Sequence, residues 1–193
     1  MYDNFSEEYY SIINDYVEFH EKGTEKLAPE RTFQGFSLMK WVMNIKEIIK
    51  NSESKSIIDF GCGKAVGYLN PIKVESKEYK NVSDFWGVKE ATLYDPGVKK
   101  YEKYPEKKAD GIICTDVIEH IPPQDINKFI EDLYKLSNKF IFVVAATNLA
   151  QKTFKNGKNV HLTIKSRDEW ISLFKSFAIK YPKIKTFIEF NDN

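Results

Sequence analysis

The chain has little cysteine, almost no net charge and no long apolar run. Its two cysteines, Cys62 and Cys114, both lie in apolar, strand-like contexts. This pattern excludes a disulfide framework and a CxxC metal site, and it favours a reducing, cytoplasmic setting. The 29 lysines and arginines are balanced by 28 aspartates and glutamates, so no broad attraction to nucleic acid is expected. Since no apolar run approaches the length of a membrane span, we also expect no membrane partner.

What the chain does have is the composition of one globular domain. Hydrophobic residues make up 42% and charged residues 30% of its 193 residues, which favours a folded chain over a disordered one. Apolar side chains at helical spacing predict two early helices, from about Ser6 to Glu21 and from about Gln34 to Asn51. We therefore treat residues 1–193 as a single domain, with N-terminal helices over 1–52 and the core over 53–193.

The most informative stretch is Ser56–Ala65, in which a β-branched run leads directly into two glycines. The run predicts a buried strand, and Gly61 and Gly63 predict a tight turn that a ligand can approach closely. Asp59 precedes the first glycine by two positions, and a carboxylate there suits a cationic ligand better than a pyrophosphate. A dinucleotide-binding loop carries a third glycine where this chain has Val66, so that class fits less well.

Two further strands are predicted beside aspartates. Residues Ala91–Asp95 read as the next strand of the core, with Asp95 at its end and a Pro-Gly turn after it. Residues Asp110–Cys114 read as another strand. Only fifteen positions separate Asp95 from Asp110, so a third strand between them is expected to be very short or absent.

The last third of the chain predicts a buried strand, a helix and a closing hairpin. The apolar run Lys139–Ala146 is typical of the centre of a parallel sheet. Ser166 and Glu169 form a capping-box pattern that predicts a helix start. Residues Phe177–Tyr181 and Ile184–Phe190 then predict two antiparallel strands joined around a proline.

The Asp59–Ala65 loop, Asp95 after a strand, the Thr115–His120 segment and the predicted final hairpin together resemble class I S-adenosylmethionine-dependent methyltransferases. The runs Leu93–Gly97, Ile113–His120 and Asn159–Thr163 are also similar to a subgroup of small methyltransferases of phages and bacteria. The resemblance implies an α/β fold, a Rossmann-like doubly wound, mostly parallel sheet that follows N-terminal helices and is closed by an antiparallel hairpin. It covers about residues 56–190, and it makes the core over 53–193 the catalytic part.

The resemblance also implies S-adenosyl-L-methionine as the cofactor. In that family the glycine loop wraps the methionine end, the acid after the second strand binds the ribose hydroxyls, and the segment around Asp116 and Val117 lines the adenine. The cofactor-binding residues expected on this basis are Asp59, Gly61, Cys62, Gly63, Lys64, Asp95, Pro96, Thr115, Asp116 and Val117.

Some acceptors fit the sequence poorly. Enzymes that methylate exocyclic amines of DNA bases carry an Asn/Asp-Pro-Pro-aromatic run where this chain has Asp-Val-Ile-Glu at 116–119. Neither Cys62 nor Cys114 fits the nucleophile of cytosine C5 enzymes. We therefore expect a small-molecule acceptor, methylated on oxygen or nitrogen, and no nucleic-acid partner. The candidate catalytic residues are Glu119, His120 and His161, because histidine titrates near neutral pH and can take a proton from the acceptor.

Three alternatives remain open. A helical turn would place Asp116, Glu119 and His120 on one face, and with His161 they could hold a divalent cation. This resembles the Glu-x-x-Glu-His arrangement of quinone-pathway O-methyltransferases and small-RNA 3′-end methyltransferases. We favour instead Asp116 at the adenine edge, with Glu119 and His120 orienting the next loop. The other two alternatives are a non-catalytic S-adenosylmethionine-binding subunit, hinted at by Ala65 in place of a third glycine, and an NAD-type dinucleotide-binding protein.

Overall fold

A computed structural model describes residues 5–24 and 27–191. Its longer elements, in chain order, are α1 (Glu7–Lys22), α2 (Val42–Asn51), β1 (Ser56–Phe60), α3 (Val66–Leu69), β2 (Ile72–Val74), β3 (Lys77–Tyr79), α4 (Val82–Trp86), β4 (Glu90–Tyr94), β5 (Ala109–Thr115), α5 (Ile126–Leu136), β6 (Ser137–Ala146), α6 (Arg167–Lys180) and β7 (Lys185–Asn191). Single turns of 3₁₀ helix cover Pro29–Arg31, Ser37–Trp41, Lys99–Tyr101, Ile118–His120 and Pro123–Asp125.

The main sheet has the strand order β4-β1-β5-β6-β7, and every neighbouring pair in it is parallel. One apolar core packs α1, α5 and α6 against one face, and a second packs α2, α3 and α4 against the other. The strands β1, β5 and β6 are buried almost throughout, because helices cover both of their faces. The prediction of a doubly wound, mostly parallel α/β fold after N-terminal helices is confirmed.

The predicted closing hairpin is wrong. Residues 177–180 form the last turn of α6, and β7 pairs in parallel with β6, from Phe140 opposite Lys185 onwards. A short apolar run does not distinguish a strand from a buried helix segment. Here the capping box at Ser166 starts a helix of 14 residues, and Phe177 stacks on Tyr134 of α5. The antiparallel hairpin in the structure is β2–β3, which is separate from the main sheet.

The expected gap in the sheet is present. The stretch between β4 and β5, which is described throughout, contains no strand and has a 3₁₀ turn at Lys99–Tyr101. The polar segment before β4 contains β2, β3 and α4, and it is anchored by Trp86, whose indole nitrogen donates to the Val42 carbonyl at 2.9 Å. The sheet therefore ends at β4 on this side.

The N-terminal region contacts segments that follow β1 and β5. Ser6 caps α1, and its backbone nitrogen and hydroxyl both donate to Asp125 just before α5. The second predicted helix is shorter than expected: residues 33–36 are not helical, because the amides of Lys64 and Val66 donate to the Phe33 and Gln34 carbonyls. These two hydrogen bonds tie residues 33–36 to the glycine loop.

Candidate active site

A cavity of about 540 Å³ lies at the carboxyl ends of β1, β4, β5 and β6. This edge is where open parallel sheets bind ligands. The strand ends form its floor, while α1, residues 33–37 and residues 148–152 close it from the other sides. Among the predicted site residues, those that line it are Gly61, Gly63, Asp95, Pro96, Thr115, Asp116, Val117, Glu119, His120 and His161.

The glycine loop connects β1 to α3 and is held against β4. The amides of Gly61 and Cys62 donate to the Tyr94 carbonyl at 2.7 and 3.1 Å. Both glycines have positive φ, +94° at Gly61 and +56° at Gly63, which favours glycine. A Cβ at Gly61 would meet the Val117 side chain, and one at Gly63 would meet the Phe33 carbonyl oxygen. Close packing on both sides therefore requires glycine at these positions.

Asp95 links the glycine loop to the turn after β4. Its Oδ2 accepts from the Gly63 amide at 2.8 Å, and its Oδ1 accepts from the Gly97 amide at 2.9 Å. Burial raises the pKa of this carboxyl, whereas the two amide hydrogen bonds favour its ionised form. Each oxygen retains acceptor capacity, so the carboxylate can also accept from two hydroxyls of a ligand.

Three predicted cofactor residues do not line the cavity. Asp59 is buried within β1, and desolvation raises its pKa to about 7, with the charge of Asp95 acting in the same direction. Cys62 is buried in the core on the α2 side, and burial raises the pKa of its thiol. Lys64 turns away from the cavity and donates to the His20 and Thr32 carbonyls at 3.2 and 2.9 Å. These side chains support the loop from behind.

The pKa of Asp59 predicts a pH-dependent stability. Its folded value, about 7, lies above the reference value of 3.8, so the folded state holds a proton that the unfolded state releases in this range. The stabilisation is complete below about pH 4 and is lost as the pH rises towards 7. We expect the wild type to lose about 2–4 kcal/mol relative to Asp59→Asn between these pH values. Urea unfolding of both proteins measures the difference, and parallel pH profiles would contradict it.

The segment Thr115–Val117 enters the cavity through a strained turn. Asp116 has φ +55°, which is uncommon for a residue other than glycine. Backbone conformations of this kind occur often at functional sites. Its carboxylate accepts from the Asn191 side-chain nitrogen at 3.3 and 3.4 Å. The helical turn from Asp116 to His120 that the four-residue cation site would need is not formed, because the chain becomes helical only at Ile118. Asp116 is therefore directed to the end of β7 and not to Glu119.

The three predicted catalytic residues lie together. Glu119 Oε1 is 4.0 Å from His161 Nε2, and the rings of His120 and His161 are 4.9 Å apart, edge to face. Glu119 is 1% exposed, and desolvation raises its pKa to about 8. Burial lowers the pKa of His120 to about 4.

Backbone carbonyls fix the orientation of both histidine rings. His120 Nδ1 lies 2.9 Å from the Val160 carbonyl oxygen, and His161 Nδ1 lies 2.6 Å from that of Asn148. Because a carbonyl oxygen only accepts, each Nδ1 carries the proton and each Nε2 retains a free lone pair. The loop between β6 and α6 thus sets the tautomer of both histidines.

Sequence reasoning named none of the residues that the first helix contributes to the cavity. The Tyr16 hydroxyl lies 2.7 Å from His120 Nδ1, and Tyr9 and His20 also line the cavity. Tyr9 and Tyr16 are seven residues apart, which places both on one face of α1. That spacing was readable, but it fits ordinary core packing equally well. Asn191 and Lys152 also line the cavity, and no motif marks them.

Comparison with known proteins agrees with this geometry. A family model described as a methyltransferase domain matches residues 34–187. The chain therefore belongs to this family of methyltransferase domains, which supports its assignment to the class I S-adenosylmethionine-dependent methyltransferases. The searches of curated proteins and of solved structures returned no match at the required significance. Among the described residues, no helix combines the length and apolar character needed to cross a bilayer.

Proposed function

We propose that this chain transfers the methyl group of S-adenosylmethionine to the oxygen or nitrogen of a small molecule. The observation that carries the proposal is the convergence of Gly61, Gly63, Asp95 and the Thr115–Val117 segment on one cavity at the carboxyl edge of the sheet. The family match supports methylation in general. A cytoplasmic location, and the lack of a membrane or nucleic-acid partner, stay predictions from the sequence.

The residues present fit the cofactor. Asp95 offers acceptor capacity to the ribose hydroxyls, while Gly61 and Gly63 bring main chain without side chains to the cavity. Val117 contributes an apolar side chain, and Asp116 contributes an acceptor for the adenine. When bound, S-adenosylmethionine supplies a methyl sulfonium, which is already electrophilic. The protein then has to orient the acceptor and exclude water.

The elements that border the cavity support a small acceptor. Tyr9, Ile12, Ile13 and Tyr16 of α1 close one side, and the loop after β6 closes another. A base within a nucleic-acid strand would have to pass these elements to reach the ends of the β-strands that form the cavity floor. Polar side chains that can bind a hydroxyl or an amine also line the cavity, namely Tyr16, Asn148 and Lys152.

His161 is suited to take the proton of the acceptor. Its Nδ1 proton is donated to the Asn148 carbonyl, so Nε2 is the accepting nitrogen. Glu119 Oε1 lies 4.0 Å from that nitrogen and would stabilise the imidazolium when the carboxyl is ionised, which its raised pKa of about 8 favours only at alkaline pH. His120 is held between Tyr16 and Val160, which suits it to shaping the acceptor site.

Calorimetry and turnover together test the proposal. We expect S-adenosylmethionine and S-adenosylhomocysteine to bind with one site per chain, and NAD not to bind. Incubation with methyl-labelled cofactor and fractionated metabolites should then label a small product. Tight NAD binding without a response to the sulfur nucleosides would contradict the cofactor assignment, and cofactor binding without any labelled product would favour a non-catalytic binding subunit.

Replacing His161 should affect turnover more than cofactor binding. We expect His161→Ala to lower kcat by about 100-fold, because general base catalysis typically contributes this much. The dissociation constant for S-adenosylhomocysteine should stay within about twofold of the wild type, since His161 is not among the residues assigned to the cofactor. Steady-state kinetics at saturating cofactor measures the first effect and calorimetry the second. An unchanged kcat would remove His161 from the proton path.

A further inference from the structure

We propose that Glu119, His120 and His161 form a binding site for a divalent transition-metal ion. The three side chains offer one carboxylate oxygen and two imidazole nitrogens, and all three candidate ligand atoms lie within 4.8 Å of one another. The site differs from the four-residue set that the sequence spacing offers, because Asp116 is directed to Asn191. Metal binding as such is independent of methyl transfer.

The separations suit a metal ion after small side-chain adjustments. Bonds of about 2.1 Å place adjacent ligand atoms about 3–4 Å apart. The distance from Glu119 Oε1 to His161 Nε2 is 4.0 Å. The two rings meet edge to face, so their free nitrogens can approach one point without stacking.

The surroundings of both histidines are those of metal ligands. Histidines that bind metals usually donate their second ring N–H to a carboxylate or a backbone carbonyl, which fixes the ring and the tautomer. His120 does this with the Val160 carbonyl and His161 with the Asn148 carbonyl. Both free Nε2 atoms then remain for the ion. His20, the remaining histidine of the chain, instead contacts Lys64 and lies outside this cluster.

A buried oxygen without a partner is the second, independent observation. Glu119 Oε2 is fully buried and has no hydrogen-bond partner among the described residues. Buried polar atoms in native proteins almost always have a partner, so an orphaned one requires an explanation. Asp95 and Asp125 illustrate the usual case, since backbone amides or a serine donate to both of their oxygens. A cation bound by both carboxylate oxygens of Glu119 would satisfy the oxygen, Oε2, that the protein leaves unpaired.

The ligand set selects the class of ion. Two imidazoles and one carboxylate suit Zn²⁺, Fe²⁺, Co²⁺ or Mn²⁺, whereas Mg²⁺ and Ca²⁺ prefer oxygen ligands. Three protein ligands leave coordination positions open towards the cavity. If the proposed methyl transfer is correct, an acceptor hydroxyl can occupy one of them, and the ion would lower its pKa. With the ion bound, this would replace proton removal by His161, because its Nε2 is then a ligand. This last role rests on the proposed function.

Titration of the chelator-treated, dialysed protein with Co²⁺ tests the site directly. We expect saturable visible d–d absorption with one ion per chain and its displacement by Zn²⁺. Glu119→Gln and His161→Ala should each weaken Co²⁺ binding by about 100-fold or more, because the first removes the negative charge of a ligand and the second removes an imidazole ligand. His20→Ala is the matched control and should stay within about twofold of the wild type. Thermal melting confirms that each variant is folded.

The contrary outcomes are equally clear. Absence of saturable Co²⁺ absorption in the wild type would overturn the proposal, as would wild-type affinity in folded Glu119→Gln and His161→Ala. Should Glu119→Gln not fold, His161→Ala decides, since that side chain is 14% exposed and tolerates change better. Calorimetry with S-adenosylhomocysteine is run separately on the same samples. Its failure would contradict the proposed function while leaving the metal site in place.

Discussion

Asp95→Ala is expected to weaken binding of S-adenosylhomocysteine by about 10- to 100-fold. Removal of a carboxylate that bonds two ribose hydroxyls costs about 1.5–3 kcal/mol. The substitution also removes the acceptor for the Gly63 and Gly97 amides, so the glycine loop loses its tie to the turn after β4. Both losses act in the same direction. Isothermal calorimetry of the purified variant measures the change.

Asp110→Ala is the matched control for this experiment. Asp110 also accepts a backbone amide, that of Lys55 at 2.7 Å, but it lies at the beginning of β5, at the opposite edge of the sheet. Its removal should leave the affinity for S-adenosylhomocysteine within about twofold of the wild type. If folded Asp95→Ala bound the ligand as tightly as Asp110→Ala does, Asp95 would not be the ribose-binding residue.

Gly63→Val should abolish measurable cofactor binding, a loss of at least about 100-fold, or roughly 3 kcal/mol. A side chain at Gly63 would meet the carbonyl of Phe33 and would have to adopt a positive φ. From the sequence, the expected obstacle at this position is the cofactor itself. In the structure the first obstacle is the protein itself, because residues 33–37 would have to move to make room for the new side chain even without a ligand.

The control for Gly63→Val uses a glycine of similar conformation. Gly87 has φ +72°, and a Cβ there would meet no atom within 4 Å. Gly87→Val therefore introduces the conformational strain without the close contact. We expect it to reduce stability but to keep the affinity for S-adenosylhomocysteine. Equal affinity losses in the two variants would indicate a general folding defect, whereas a loss confined to Gly63→Val supports the packing argument.

Local patterns predicted the elements that depend on local chemistry. The apolar runs gave β1, β5 and β6, and the capping box gave the start of α6 at Ser166. The position of acids after strands led to Asp95 and to the Thr115–Val117 segment, both of which line the cavity. These predictions succeeded because strand ends in a parallel sheet meet at one edge, so order along the chain is enough to bring the residues together.

Long-range contacts account for what the sequence did not reveal. The direction of β7 depends on how α6 packs against Tyr134, and the short apolar run at 177–181 carries no sign of that. Asp59, Cys62 and Lys64 belong to the motif around the glycine loop, but only Gly61 and Gly63 of that motif line the cavity, and the three side chains point elsewhere. The contact of Tyr16 with His120 joins residues 104 positions apart, beyond the reach of any local pattern.

The all-parallel sheet has a consequence for how the chain folds. Ile57 of β1 pairs with Ala91 on one side and with Gly111 on the other, so both neighbours come from distant parts of the chain. Loop-closure entropy must be overcome before such contacts stabilise anything, and topologies of this kind fold slowly. The glycine loop is held by Tyr94 and Asp95 at the end of β4, and these residues come next to the loop only when β4 has paired with β1. A binding-competent loop should therefore form together with the β1–β4 pairing and not before it.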